Sequence, residues 1–144
     1  IELLVKYVDL SMLRYGKFKW QLNIDDTIDQ FELTVPPMLL QPLVENSVQH
    51  AVRPNIASNK IGAITTNISL RDNHLLIVIE DNGPGIQHPA QTSKSHGLAI
   101  LKERLELLSR KNDQAYDLQL ESVENSGSIF GTRVSLILPI KAIE

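Results

Sequence analysis

The chain has 144 residues, 42% hydrophobic and 22% charged, with a formal net charge of −3, proportions that suit one layered core in an ordinary globular domain. That charge argues against a broad nucleic-acid-binding face. The absence of cysteine excludes disulfides, thiolate catalysis and Cys-based zinc sites. No apolar run reaches the ~18 residues of a membrane helix, and Glu2, Lys6 and Asp9 break the start of any signal peptide. Because the first residue is Ile1 rather than Met, the chain is expected to be a fragment of a longer protein, folded as a single domain over 1–144.

In chain order, residues 2–15 carry Leu3, Leu4, Tyr7, Val8, Met12 and Tyr15 at helical spacing, with Gly16 as the stop. Residues 17–24 alternate, placing Phe18, Trp20, Leu22 and Ile24 on one strand face. Pro36 and Pro37 introduce a second helix over about 37–52, bent near its start by Pro42, and 53–60 reads as a loop. Residues 62–70 and 74–81 form a hairpin, whose second arm is apolar enough for a central strand covered on both faces. After a Gly/Pro-rich and polar stretch comes a helix over about 97–111, with Leu98, Leu101, Leu105 and Leu108 on one side. A last strand pair, 117–123 and 130–138, closes the chain. The order α-β-α-β-β-α-β-β predicts an α+β fold, a two-layer α/β sandwich with three helices on one face of a mixed, mainly antiparallel five-stranded sheet.

Four short stretches carry the chemistry. Asp81-Asn82-Gly83-Pro84-Gly85 ends a buried strand in a carboxylate suited to accept from a ligand amino group. Its glycines let backbone approach a flat ligand, although Asn-Gly and Pro-Gly also serve as plain turns. Glu45, Asn46, Gln49 and His50 set two polar rows on one helix side at i,i+4 spacing, fit either for Mg²⁺ with phosphate or for solvent. Ser95-His96-Gly97-Leu98 opens a helix whose free amides suit an anion. Phe130-Gly131-Thr132 opens the last strand and equally reads as a β-bulge glycine.

In combination these stretches resemble the GHKL ATP-binding domains shared by gyrase, MutL, heat-shock chaperone ATPases and histidine kinases. The stretch PPMLLQPLVENSVQHAV is similar to the PP-x-LLQPLVENA-x-x-H-G block of LytS/YehU-type sensor histidine kinases. RYGKFKWQLNI resembles that family's RFG-led strand, and LKERLELL its helix after the third motif. The resemblance runs from about Glu2 to Pro139 and implies ATP and Mg²⁺ as cofactors. It implies Asn46 as the metal ligand, supported by Glu45 or His50, with Gln49 beside them. It further implies Asp81 on the adenine amino group, and Gly83, Gly85 and Ile86 around the base. His96, Gly97 and Leu98 would meet the phosphates, with Thr132 closing the pocket beside Asp81.

Four positions depart from the family pattern. Ser95 and Ile100 replace the first Gly and the Asn of the third motif, Pro42 stands where many GHKL ATPases carry a catalytic Glu, and Ala51 replaces the Gly after His50. None of His50, His74, His88 or His96 occupies a long helix of the phospho-acceptor kind. The fragment is therefore expected to bind nucleotide without autophosphorylating. The resemblance places it on the cytoplasmic side of an inner-membrane sensor, working with a dimerisation and phospho-acceptor domain and a response regulator. The alternatives are another GHKL protein, such as an anti-sigma-type serine kinase or small ATPase, and an interaction module whose nucleotide site has decayed. A P-loop or dinucleotide-binding enzyme lacks its Gly-rich run.

Overall fold

The computed structural model describes residues 2–29, 39–86, 96–125 and 127–140. Helix α1 (Glu2–Tyr15) buries Leu4 and Val8, and β1 (Lys19–Ile24) follows. Helix α2 is continuous in three segments: Gln41–Ser47, a π-helical turn Val48–Val52, and Arg53–Ala57. The hairpin β2 (Ala63–Arg71) and β3 (His74–Asp81) precedes α3 (His96–Asn112), and β4 (Asp117–Asn125) and β5 (Ser128–Pro139) close the sheet. The strand order is β1-β2-β3-β5-β4. Only the β1–β2 pair is parallel; the other pairs are antiparallel. The expected mixed, mainly antiparallel sheet with helices on one face is the observed architecture.

The hairpin turn follows from its residues. Asp72 and Asn73 take φ of 48° and 61°, the doubly left-handed pair of a two-residue type I′ turn. In β3, burial alternates strictly, with Leu75, Ile77, Ile79 and Asp81 buried and the intervening residues only half-buried. The strand is central, as its apolar run suggests, but helices cover one face and not both. The other face carries half-buried Leu76 and Val78 and several polar pairs: Arg133 bonds Glu80 at 2.6 Å and Glu121 at 3.1 Å, and Asn23 donates to Asn67 across β1–β2 at 2.8 Å. Among the described residues, no helix is long and apolar enough to cross a membrane.

Helix α2 departs from expectation at both ends. Its described start is Gln41, so Pro42 lies in the first turn, where its missing N–H costs nothing; Pro36 and Pro37 lie outside the described residues. The expected loop at 53–60 is helical as far as Ala57 despite Pro54. Proline normally clashes with the carbonyl four residues back. Here the helix widens first, with the Arg53 N–H bonding the Val48 carbonyl in an i→i−5 step. Ala51, where the family pattern has Gly, also favours continuation, since Ala is the better helix former.

Candidate functional site

The widened turn of α2 has a geometric consequence. Two α-turns span about 7.2 residues, so positions eight apart drift around an ordinary helix. One added residue in the π turn brings Asn46, His50 and Pro54 closer to a single row. These three help line an open cleft of about 150 Å³, together with Pro84, Gly85, Ile86, Leu98, Leu120 and Thr132.

Asp81 lies buried behind this cleft, next to the lining residue Thr132. It pairs with Thr132, which pairs in turn with Ser122, so the three share one row across the sheet where β3 ends. The carboxylate is 6% exposed. Its Oδ1 accepts from the Gly83 N–H at 3.0 Å and the Thr132 N–H at 3.2 Å. Its Oδ2 is buried without a partner, as is the Ser47 hydroxyl. Ser47 approaches closely enough to favour the charged carboxylate but falls short of hydrogen-bond geometry. Burial pushes the Asp81 pKa above the ordinary aspartate value, against the opposing pull of the Gly83 and Thr132 amides, Ser47 and His50. A buried acceptor with one oxygen held and the other unmatched is suited to a ligand N–H.

The glycines on either side of Asp81 are demanded by packing. A Cβ on Gly83 would lie 2.7 Å from the His50 carbonyl oxygen and 2.8 Å from the Ala51 Cα, so the turn is pressed flat against α2. Gly131 takes φ +149° at the register shift between β4 and β5, and its Cβ would fall 1.7 Å from the Asp81 carbonyl oxygen. The bulge-glycine reading of Gly131 and a role beside Asp81 therefore coincide. Only glycine there lets the Thr132 amide reach the carboxylate.

Of the residues singled out from sequence, Asn46, His50, Gly85, Ile86, Leu98 and Thr132 line the cleft, and Asp81 and Gly83 lie buried behind it. Glu45 is half-buried outside the lining; its charge is felt by Tyr7 of α1, whose hydroxyl is pushed up chiefly by burial. Gln49 is exposed and also outside the lining. Gly97 sits in the first turn of α3 against Pro42, with 3.7 Å available to a Cβ, so packing alone does not require glycine. His96 begins α3, Ile100 is exposed, and Ser95 lies outside the described residues. Sequence reasoning missed Pro54, Pro84 and Leu120 in the cleft, and Ser122, whose hydroxyl accepts from the Ile86 N–H at 3.1 Å. It also missed Asn55 and Asn82, which hydrogen-bond each other behind the cleft. Among the described residues no group of three or more His, Asp or Glu side chains could hold a metal ion. A cation at Asn46 would have to share oxygens from a phosphorylated ligand and water, the usual habit of Mg²⁺.

Residues 36–142 match the family described as histidine kinase-, DNA gyrase B- and HSP90-like ATPase. The sensor protein LytS of Oceanobacillus iheyensis is 29% identical over 153 residues, covering 98% of this chain and 24% of LytS. The sensor histidine kinase YesM of Bacillus subtilis is 28% identical over 139 residues, 94% of this chain and 22% of YesM. The chain thus spans about a quarter of the length of the curated relatives it matches. Among solved structures, a mycobacterial sensor histidine kinase, MprB, superposes with a TM-score of 0.64 at 16% identity, covering 96% of this chain and 93% of that one. The catalytic domain of the histidine kinase ThkA gives 0.62 at 16% identity, covering 96% and 92%. At such identities these likenesses speak for the fold alone.

Proposed function

This chain belongs to the histidine kinase-, DNA gyrase B- and HSP90-like ATPase family, and we propose that it is the ATP-binding catalytic domain of a LytS-like sensor histidine kinase. The observation that carries the reading is the buried Asp81 carboxylate, with Oδ1 held by two backbone amides and Oδ2 left as an acceptor behind the cleft. Adenine presents an exocyclic amino group, and Oδ2 is the acceptor it needs. Gly85, Ile86, Leu98 and Leu120 supply flat or apolar walls for the ring, and Thr132 closes the cleft beside Asp81.

The triphosphate then runs toward Asn46 and His50. In this reading the Asn46 side-chain oxygen takes a place on Mg²⁺, and the metal, when bound, neutralises charge on the phosphate oxygens. His50 contacts phosphate, and Glu45 supports the site through water. The amides opening α3 at His96 and Gly97 offer a further anion contact. In the longer protein the γ-phosphoryl group passes to a histidine nitrogen on a dimerisation domain and ADP leaves; a response regulator then takes the phosphoryl group. We place the domain on the cytoplasmic side of a membrane sensor. His50 lies in the cleft wall and His74 at the hairpin turn, while His96, against the expectation that it lies off any long helix, is the first residue of α3 beside the cleft-lining Leu98; none stands on a separate acceptor domain, so this chain alone should not autophosphorylate.

Titration calorimetry with ATP, with and without Mg²⁺, tests the reading. Wild type should bind in both conditions, more tightly with the metal. Asn46→Ala should keep metal-free binding and lose most of the Mg²⁺-dependent gain, an effect of about tenfold for one ligand contact (~1.4 kcal/mol). No binding at millimolar nucleotide would overturn the proposal in favour of a decayed interaction module.

The raised pKa of Asp81 adds a pH signature. An amino-group donor favours the ionised carboxylate, so affinity should fall on acidification through a pKa lying above the ordinary aspartate range. Stability of the unliganded protein moves oppositely. A carboxyl group with a raised folded-state pKa contributes stability below its unfolded pKa, and that contribution is lost as pH rises through the folded value. Paired titrations of ATP affinity and thermal midpoint between pH 4 and 8 should show these opposite slopes in wild type and neither in Asp81→Asn.

A further inference from the structure

Beside the cleft, the exposed Asn82 side chain is tied to protein through both of its polar atoms. Its Oδ1 accepts from the Ala63 N–H at 2.8 Å and from Asn55 Nδ2 at 2.9 Å, and its Nδ2 donates to the Ile61 carbonyl at 2.9 Å. Its main chain is engaged as well: the N–H donates to the Ala63 carbonyl at 3.2 Å, and the carbonyl accepts from Asn55 Nδ2 at 3.2 Å. Both oxygens of Asn82 are thus taken up by neighbouring protein groups. Asn55, 8% exposed in the last turn of α2, puts one amide group on both oxygens of Asn82, while its own carbonyl accepts from Lys60 at 2.7 Å and Ser58 at 3.1 Å. Each residue is close in sequence to a rim of the cleft. Pro54 precedes Asn55, and Pro84 and Gly85 follow Asn82 by two and three residues.

We propose that Asn55 is a positioning residue for nucleotide binding: through Asn82 it ties the end of α2 to the turn after Asp81 and so sets the width of the cleft between Pro54 and Pro84–Gly85. This rests on the ATP reading above. The turn is attached to α2 at two points, by the close packing of Gly83 on His50 and Ala51 and by the Asn55 amide. Losing the amide leaves the first attachment intact and frees the rim. The effect falls on the half of the site that faces the base, since Asn46, the metal contact, lies more than two turns earlier on α2.

The test is calorimetry of this chain with ADP in EDTA and ATP with Mg²⁺, for wild type, Asn55→Ala and Asn55→Asp, each with its thermal midpoint. Asn55→Ala should raise both Kd values by a common factor of about tenfold, the worth of one or two hydrogen bonds, at full binding stoichiometry. Asn55→Asp keeps the shape but turns an acceptor toward two acceptors, so it should bind more weakly than Asn55→Ala. The ratio of metal-bound to metal-free affinity should not change in either variant. A role confined to helix stability predicts another order, because Ala favours helix more than Asn or Asp. Folded variants with wild-type Kd values, or a loss confined to the Mg²⁺-dependent gain, would overturn the clamp while leaving the ATP reading standing. Failure of wild type itself to bind overturns the ATP reading and the clamp together. Should Asn55→Asp not fold, Asn55→Ala decides by the same criteria.

Discussion

Asp81→Asn should abolish measurable ATP binding while leaving the fold intact. The substitution changes one atom in a site where that atom's direction of hydrogen bonding is the whole interaction. The Asn oxygen can still accept from the Gly83 and Thr132 amides, the two bonds that hold Oδ1 now. The amide nitrogen then takes the place of Oδ2, so a donor faces the donor of the adenine amino group. Losing a charge-assisted bond and burying two opposed donors should weaken binding about 100-fold or more, ~3 kcal/mol. Stability should move the other way, because the ionised carboxylate is disfavoured by burial and Asn carries no charge to desolvate. Calorimetry and a thermal melt at neutral pH check both halves. Retained affinity would sink the adenine assignment, and a lower melting point would mean that the carboxylate holds the turn together.

Much of this site is legible without coordinates, because its parts are local. The apolar run ending in Asp81 marks a carboxylate held at the end of a buried strand, and i,i+4 spacing puts Asn46 and His50 on one wall. The hairpin turn and strand pairing follow from Asp72-Asn73 and the apolar arms. What could not be read depends on partners distant in the chain. Pro54 looks like a helix stop until the π turn is seen to remove its clash. Asn82 looks like half of an Asn-Gly turn, and nothing local reveals that Asn55 and Ile61 fill its side chain. Gly83 reads as conformational freedom, whereas its demand is steric and set by a helix thirty residues earlier in the chain. The one-sided covering of β3 is hidden in the sequence because Leu76 and Val78 are apolar yet only half-buried.

Gly131→Ala should have the largest structural effect of any conservative change near the site. A Cβ at this position would lie 1.7 Å from the Asp81 carbonyl oxygen and 2.7 Å from its carbonyl carbon. Those are backbone atoms of a central strand, so no side chain can swing away to relieve the overlap. The φ of +149° adds strain for any L side chain. The only relief is to part β5 from β3 at the Asp81–Thr132 pair, which also withdraws the Thr132 amide from Asp81 Oδ1 and leaves a buried carboxylate with one backbone donor fewer. Backbone strain and a lost buried bond together should cost about 3–4 kcal/mol, or well over 5 °C in the melting point of a domain this size. The nucleotide site should fail with it. A melt in the presence of saturating ATP separates the two effects. Wild type should be stabilised by ligand, whereas Gly131→Ala should melt early and gain little. A variant that melts like wild type would show that β5 can shift at the bulge without disturbing Asp81, and the strand pair would then be looser than this packing requires.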